Sequence, residues 1–239
     1  MKKIFAFFLL AMAYLATPST ALATEITIAA GTSPATSVYA RVIDEIIGMC
    51  SSSVAPHTLK RVQANGSNVA VEMLLEKGAM MAAIQMDVGN VWLRNRRELE
   101  LREVASLHAE AYQFFGLPSV SSGFLGMSTK PISSIEDLNG LTIGVTGAGK
   151  LSLDYFNFLT GLAIKSQEFA SIEDAVMALK AKKVAGLMMV AGYPSPVAKS
   201  MSGVAPLGMS AATQAKLIDA KKGYAPVRMS YSNLSNAKV

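Results

Sequence analysis

The stretch Leu141-Thr-Ile-Gly-Val-Thr-Gly-Ala-Gly-Lys-Leu-Ser-Leu-Asp-Tyr-Phe156 holds three glycines and a lysine at a spacing that could do chemistry. An apolar run breaks at Gly144, Gly147 and Gly149 and resumes at helical spacing, so it reads as a strand, a tight turn and a helix start. The first N–H groups of a helix lack an intrahelical acceptor and sit at the positive end of its dipole, which suits a phosphate or a carboxylate. Gly144, Gly149 and Lys150 also fit a nucleotide phosphate loop, but Leu151 stands where that loop needs a Ser or Thr hydroxyl for magnesium. Nucleotide hydrolysis is therefore disfavoured. A small-anion cradle competes with a turn that merely redirects the chain.

Other reactive side chains are sparse. Cys50 is the only cysteine, so no intrachain disulfide can form, and its place on an apolar helical stripe suits a packed free thiol better than a nucleophile. His57 and His108 are the only histidines, and neither has a metal-ligand companion at a useful spacing. No carboxylate pair, Ser-His-Asp or Cys-His arrangement can be assembled, so neither an enzyme nor a metal or other cofactor is expected. Methionine is abundant, as in Met80-Met81 and Met188-Met189, but it falls in predicted strands and reads as core rather than copper ligation.

The chain begins Met1-Lys-Lys, continues nearly all apolar from Ile4 to Ala16, and reaches Ala21-Leu-Ala23. That is the three-part pattern of a cleaved secretory leader, residues 1–23, and it predicts export to the periplasm. Removing Lys2 and Lys3 lowers the net charge from +5 to +3. The remaining basic residues are thinly spread. The one knot, Arg94-Asn-Arg-Arg97, reads as a solvated helix end, so no nucleic-acid partner is expected.

The elements that must position these turns alternate. Glu25 to Ala30 reads as a strand, Thr36 to about Met49 as a helix, Leu59 to Val62 as a strand, and Asn68 to Glu76 as a helix capped by Ser67. Met80 to Met86 reads as a third strand that stops at Asp87. Val104 to Leu107 and Tyr112 to Leu117 read as strands, and Pro118 to Gly123 as a crossing loop. Ser134-Ile-Glu-Asp137 and Ser171-Ile-Glu-Asp174 are capping boxes that open short helices. Val184 to Val190 is a buried strand. Val204 to Met209 reads as a strand, Ser210 to Lys221 as a helix and Val227 to Tyr231 as a last strand, together completing the first lobe. Repeated strand-helix units of this length imply a largely parallel α/β sheet.

In such sheets ligands sit beyond the carboxyl ends of the strands. The turns there are 31–36, 65–67, 85–87, 147–150 and 192–195, with Lys150 as the one cation and Tyr39 and Tyr193 as aromatic walls. Backbone N–H, hydroxyl and amide groups of this kind recognise a polar solute and are poor at activating one.

Five segments in this order resemble the extracytoplasmic solute receptors of TRAP transporters, specifically the TAXI family. They are Ile26 to Thr36, Val62-Gln-Ala-Asn-Gly-Ser67, Lys77-Gly to Gln85-Met-Asp87, Ile135-Glu-Asp-Leu-Asn-Gly to Gly147-Ala-Gly149, and Val190-Ala-Gly-Tyr-Pro-Ser-Pro196. The resemblance implies a type II periplasmic binding protein. Lobe 1 would be residues 24–111 plus 197–239 and lobe 2 residues 112–196, closing on a solute in the cleft between them. It implies a small anionic solute, glutamate or a dicarboxylate-like acid, passed to the membrane subunits of a TRAP-type secondary transporter. Carried over, the contacting positions are Thr32, Ser33, Thr36, Ser67, Gln85, Gly149, Lys150 and Tyr193. Pro34-Ala35 stand where the family has paired glycines, and Lys150 where it has a small hydroxyl residue. The competing reading is a diverged accessory or interaction protein of the cell envelope without small-molecule transport. A monomer is expected, with dimerisation as the alternative where an apolar patch needs cover.

Overall fold

The computed structural model describes residues 22–34, 37–98, 100–122, 128–193, 201, 203–219 and 224–228. Residues 1–21 of the predicted leader, Thr36 and the span 194–200 lie outside them. Two sheets organise the rest. The first has the order β2-β1-β3, built from β1 (Glu25–Ala29), β2 (Thr58–Val62) and β3 (Met81–Ala82), all parallel. Successive side chains of a strand face opposite ways, and β1 uses both faces. Ile28 packs with Ile43 of α1 (Val38–Cys50), while Ala29 packs with Ala70 of α2 (Ser67–Leu75). Tyr39, Ile43, Ile46 and Ile47 make the apolar stripe of α1 that meets the sheet, at the helical spacing that predicts it.

The second sheet has the order β10-β4-β9-β7-β8 and is mixed. β7 (Thr142–Thr146) runs parallel to β8 (Lys165–Phe169) and β9 (Gly186–Ala191). β4 (Ala111–Gly116) is antiparallel to β9, and β10 (Ala205–Pro206) is antiparallel to β4. The glycine turn opens α4 (Gly149–Thr160), whose Leu153 and Phe156 pack with Phe114 and Met188 on one face of the sheet. α5 (Ile172–Lys180) places Ala175 and Leu179 against Phe115 and Leu187 on the other.

Several expectations change. Met80 to Met86 forms only the two-residue β3, and Met86 begins α3 (Met86–Asn95), with Asp87, Val88 and Val91 buried. Val104 to Leu107 has no regular structure and lies largely exposed, so this apolar run finds no partner strand. Pro118 to Gly123 is not all loop. Its residues Ser119–Ser122 form β5, paired antiparallel with β6 (Ser128–Pro131). The segment after residue 200, expected to complete the first lobe, joins the second sheet instead. β10 bonds to β4, and α6 (Ala211–Asp219) sends Leu217 into the core beside α4. Of the last predicted strand, Val227 and Arg228 have no regular structure and the rest lies outside the described residues. Cys50 is half-buried at the end of α1.

Candidate functional site

Three helices start around one cavity of about 160 Å³ to which both sheets contribute. From the first side come Tyr39 of α1, Gly66 and Ser67 at the start of α2, and Gln85 just ahead of α3. From the second come Thr146 at the end of β7, Ala148 and Gly149 at the start of α4, and Met189 and Val190 of β9. Glu110 lines it from the connection that enters β4. Sites for drug-sized ligands span roughly 300–1,000 Å³, so this volume suits a small solute.

How the helix ends are capped separates those at the cavity from those elsewhere. Ser37 caps α1 by accepting the Ala40 N–H, and Ser171 caps α5 by accepting the Asp174 N–H. Ser134 and Asp137 form a full capping box over the short 3₁₀ turn Ile135–Leu138. At the cavity, α2 starts from Gly66 and α4 from Ala148, and neither supplies a side-chain cap; α3 starts from Gln85 without one, but Asp87 in its first turn accepts the Val88 N–H. Gly66 has φ +92 and Gly147 φ +56, a left-handed backbone that a side chain would strain. Uncapped first-turn N–H groups lower their energy by meeting an anion or water.

Ser67 differs from its expected role. It lies inside the first turn of α2 rather than capping it, and its Oγ accepts the Gln85 N–H at 2.9 Å. Ser67 is 4% exposed, and among the described residues no acceptor is found for its hydroxyl proton. A buried O–H donor on the wall of a cavity is satisfied by whatever fills that cavity.

Glu110 gives the other pole. The Tyr39 hydroxyl donates to its Oε2 at 2.6 Å, and His108 lies against the Tyr39 ring at 5.1 Å between centroids. Burial pushes the Glu110 carboxyl above its ordinary range, although the bond from Tyr39, the charge of His108 and the Gln85 amide pull it down. Burial also raises the Tyr39 phenol, helped by the adjacent Glu110. Behind this wall, Asp87 Oδ2 accepts from the Tyr112 hydroxyl at 2.7 Å, and the Tyr112 and Tyr224 oxygens lie 3.3 Å apart. That chain ties α3 of the first sheet to β4 of the second.

Of the residues predicted to contact a solute, the fold brings Ser67, Gln85 and Gly149 to the cavity. Thr32, Ser33 and Tyr193 are not among its lining residues, and Thr36 lies outside the described ones. Lys150 points elsewhere. It is exposed and pairs with Asp154 at 3.3 Å, one helical turn along α4. Tyr39 was legible as an aromatic wall. Glu110 was not, because the irregular stretch before β4 has no periodicity to place it; the only signal is an acid immediately before an apolar strand. Chemically the cavity offers N–H and O–H donors, one amide and one carboxylate. These groups suit recognition of a polar solute.

No protein-family model matches the chain, and no protein of curated function matches it. Among the described residues no helix is long and apolar enough to cross a membrane. The fold has counterparts among solved structures. The periplasmic aliphatic sulphonate binding protein SsuA from Escherichia coli aligns with a TM-score of 0.51 at 15% identity, over 78% of this chain and 60% of that one. The GLUR0 ligand-binding core in complex with L-glutamate aligns with a TM-score of 0.50 at 12% identity, over 80% of each chain. Identities this low speak for the fold alone: the chain is similar to type II periplasmic binding proteins, α/β molecules of two lobes.

Proposed function

We propose that this protein is a periplasmic solute-binding receptor that captures a small carboxylate between its lobes and delivers it to the membrane subunits of a TRAP-type secondary transporter. The observation that carries the reading is the pair of uncapped helix starts, from Gly66 and Ala148, that face one cavity from its two sides. Together with the Ser67 hydroxyl they form a cradle of fixed dipoles, which suits a carboxylate and requires no lysine or arginine. The transporter class is supported by the five ordered segments that resemble TAXI receptors, and export by the leader-like start. In this reading Ser67, Gln85 and Gly149 contact the solute, aided by Tyr39 and Thr146. Residues 25–95 form one lobe and residues 111–219 the other.

A thermal-shift screen against small mono- and dicarboxylates and amino acids tests the proposal. A solute at a hundred times its dissociation constant adds about 2.7 kcal/mol, which for a chain of this size raises the melting temperature by roughly 5–10 °C. Ser67→Val should remove most of that rise, while Lys150→Ala should leave it nearly intact because the side chain is engaged with Asp154 outside the cavity. A flat response to the whole panel would overturn the reading and favour an envelope accessory protein.

A further inference from the structure

The carboxylate of Glu110 on the cavity wall is hard to reconcile with a ligand that is only an anion. Among the described lining residues it is the one acidic side chain, and none of the others is basic. Its nearest partners are the neutral Tyr39 hydroxyl and the Gln85 amide. The charged or titratable groups around it are Tyr39 from α1, Asp87 from α3 and His108 two residues earlier in the chain. Of these groups, Asp87 adds repulsion toward an anion on this side of the cavity and His108 opposes it. The helix starts at Gly66 and Ala148 pull the other way. The cavity is therefore polarised: donors and positive dipole ends on one part of the wall, an acid on another.

We infer that Glu110, held in place by Tyr39, receives a protonated amine, so that the cavity takes a small amino acid, carboxylate toward the helix starts and ammonium toward Glu110, in preference to a dicarboxylate. This rests on the receptor reading above and narrows its solute class. A dicarboxylate of the same length would set its second carboxylate against Glu110, which is tolerable only with Glu110 protonated. An ammonium group does the reverse, since it meets the ionised acid in a charge-assisted bond and satisfies it. The sign of the pH dependence follows. Burial keeps the Glu110 carboxyl protonated to a higher pH than usual, so amino-acid binding weakens as pH falls through that range, whereas binding of a dicarboxylate strengthens.

The experiment is a calorimetric titration of the wild-type protein with matched pairs: glycine against acetate, L-alanine against propionate, L-serine against lactate, and L-glutamate against glutarate. Each pair is run at pH 7.5 and again near pH 5. At least one amino acid should bind about tenfold or more tightly than its des-amino partner, consistent with the usual strength of hydrogen bonds to charged groups. That preference should shrink at the lower pH. Glu110→Gln should abolish it, leaving the des-amino acid bound as well as or better than before. The wild-type comparison needs no variant, so it decides the matter even if Glu110→Gln fails to fold. Equal affinity within every pair, or tighter binding of the des-amino acids, would overturn the inference while leaving the receptor reading standing. Binding by no compound of either series would overturn both.

Discussion

Tyr112→Phe removes one oxygen atom, and the structure says what that atom does. Asp87 is 4% exposed, and no ion pair reaches it among the described residues. Its Oδ1 accepts the N–H of Val88 at 2.8 Å and its Oδ2 accepts the Tyr112 hydroxyl at 2.7 Å. The Tyr112 ring packs with Phe114, Phe156 and Tyr224, so phenylalanine keeps the shape and loses only the donor. Losing a hydrogen bond to a charged, buried acceptor costs about 1.5–3 kcal/mol. Tyr224 also loses its neighbour at 3.3 Å, but it is only half-buried and water can replace the contact. The net is about 2–3 kcal/mol, or roughly 4–12 °C in melting temperature for a chain of this length. Urea unfolding followed by circular dichroism measures it directly. In an Asp87→Asn background the acceptor is neutral, and the same substitution should cost about 1 kcal/mol or less. A cycle of the four proteins then yields a coupling of about 1–2 kcal/mol. A melting point within 2 °C of wild type for Tyr112→Phe would falsify this account of how α3 is fastened to β4.

Two further substitutions probe the rest of the second lobe. Burial acts to raise the Glu136 carboxyl, but hydrogen bonds from Ser210 and Thr213 outweigh it and bring it down to about 2. A depressed acid stabilises the fold above its ordinary value near 4.5 and loses that contribution as pH falls toward 2. Because the group is half-buried and its bonding partners reach the surface, Glu136→Gln should cost only about 1 kcal/mol at pH 7 and little at pH 2, with faster hydrogen exchange in α6. Gly186→Ala would bring a Cβ to 2.9 Å from the Phe115 carbonyl oxygen and 3.1 Å from a Leu138 methyl. Overpacking of that kind costs about 1–3 kcal/mol, and a thermal melt indistinguishable from wild type would refute it.

What the sequence revealed was local, and what it hid was not. The capping boxes at Ser134 and Ser171 were readable because each is made by residues three positions apart, and both short helices start there. The turn from β7 into α4 was readable for the same reason. Ser67 looked like a cap by the same local rule, yet its hydroxyl is committed to the N–H of Gln85, eighteen residues on, and Gly66 takes the cap position. α3 was hidden because its first residue closes an apolar run that looks like a strand, and Gly89 and Asn90 are weak helix formers. Tertiary packing decides the matter: Val88 and Val91 are buried, and a Cβ on Gly89 would lie 3.1 Å from Ile84. Lys150 shows the limit most sharply. Its charge was visible at the right turn, but a side chain's direction depends on its neighbours, and Lys150 is exposed and paired with Asp154 along the helix.

The absence of a lining cation among the described residues bears on how a receptor of this kind could let go of its solute. A lysine or arginine clamp would sit wholly on one lobe and hold an anion whether or not the lobes met. Here the donors are divided. The start of α2 belongs with the first sheet and the start of α4 with the second, so neither side holds the full set. Each helix start contributes a fraction of a charge, and its influence fades within about a turn of helix. On the receptor reading, parting the lobes removes α4 from the cradle and exposes the remaining donors to water, which competes for them. Affinity is then tied to closure, and the Asp87–Tyr112–Tyr224 chain and the Arg94 guanidinium over the Phe158 ring, which bridge the two sides, are contacts that would help hold the closed arrangement.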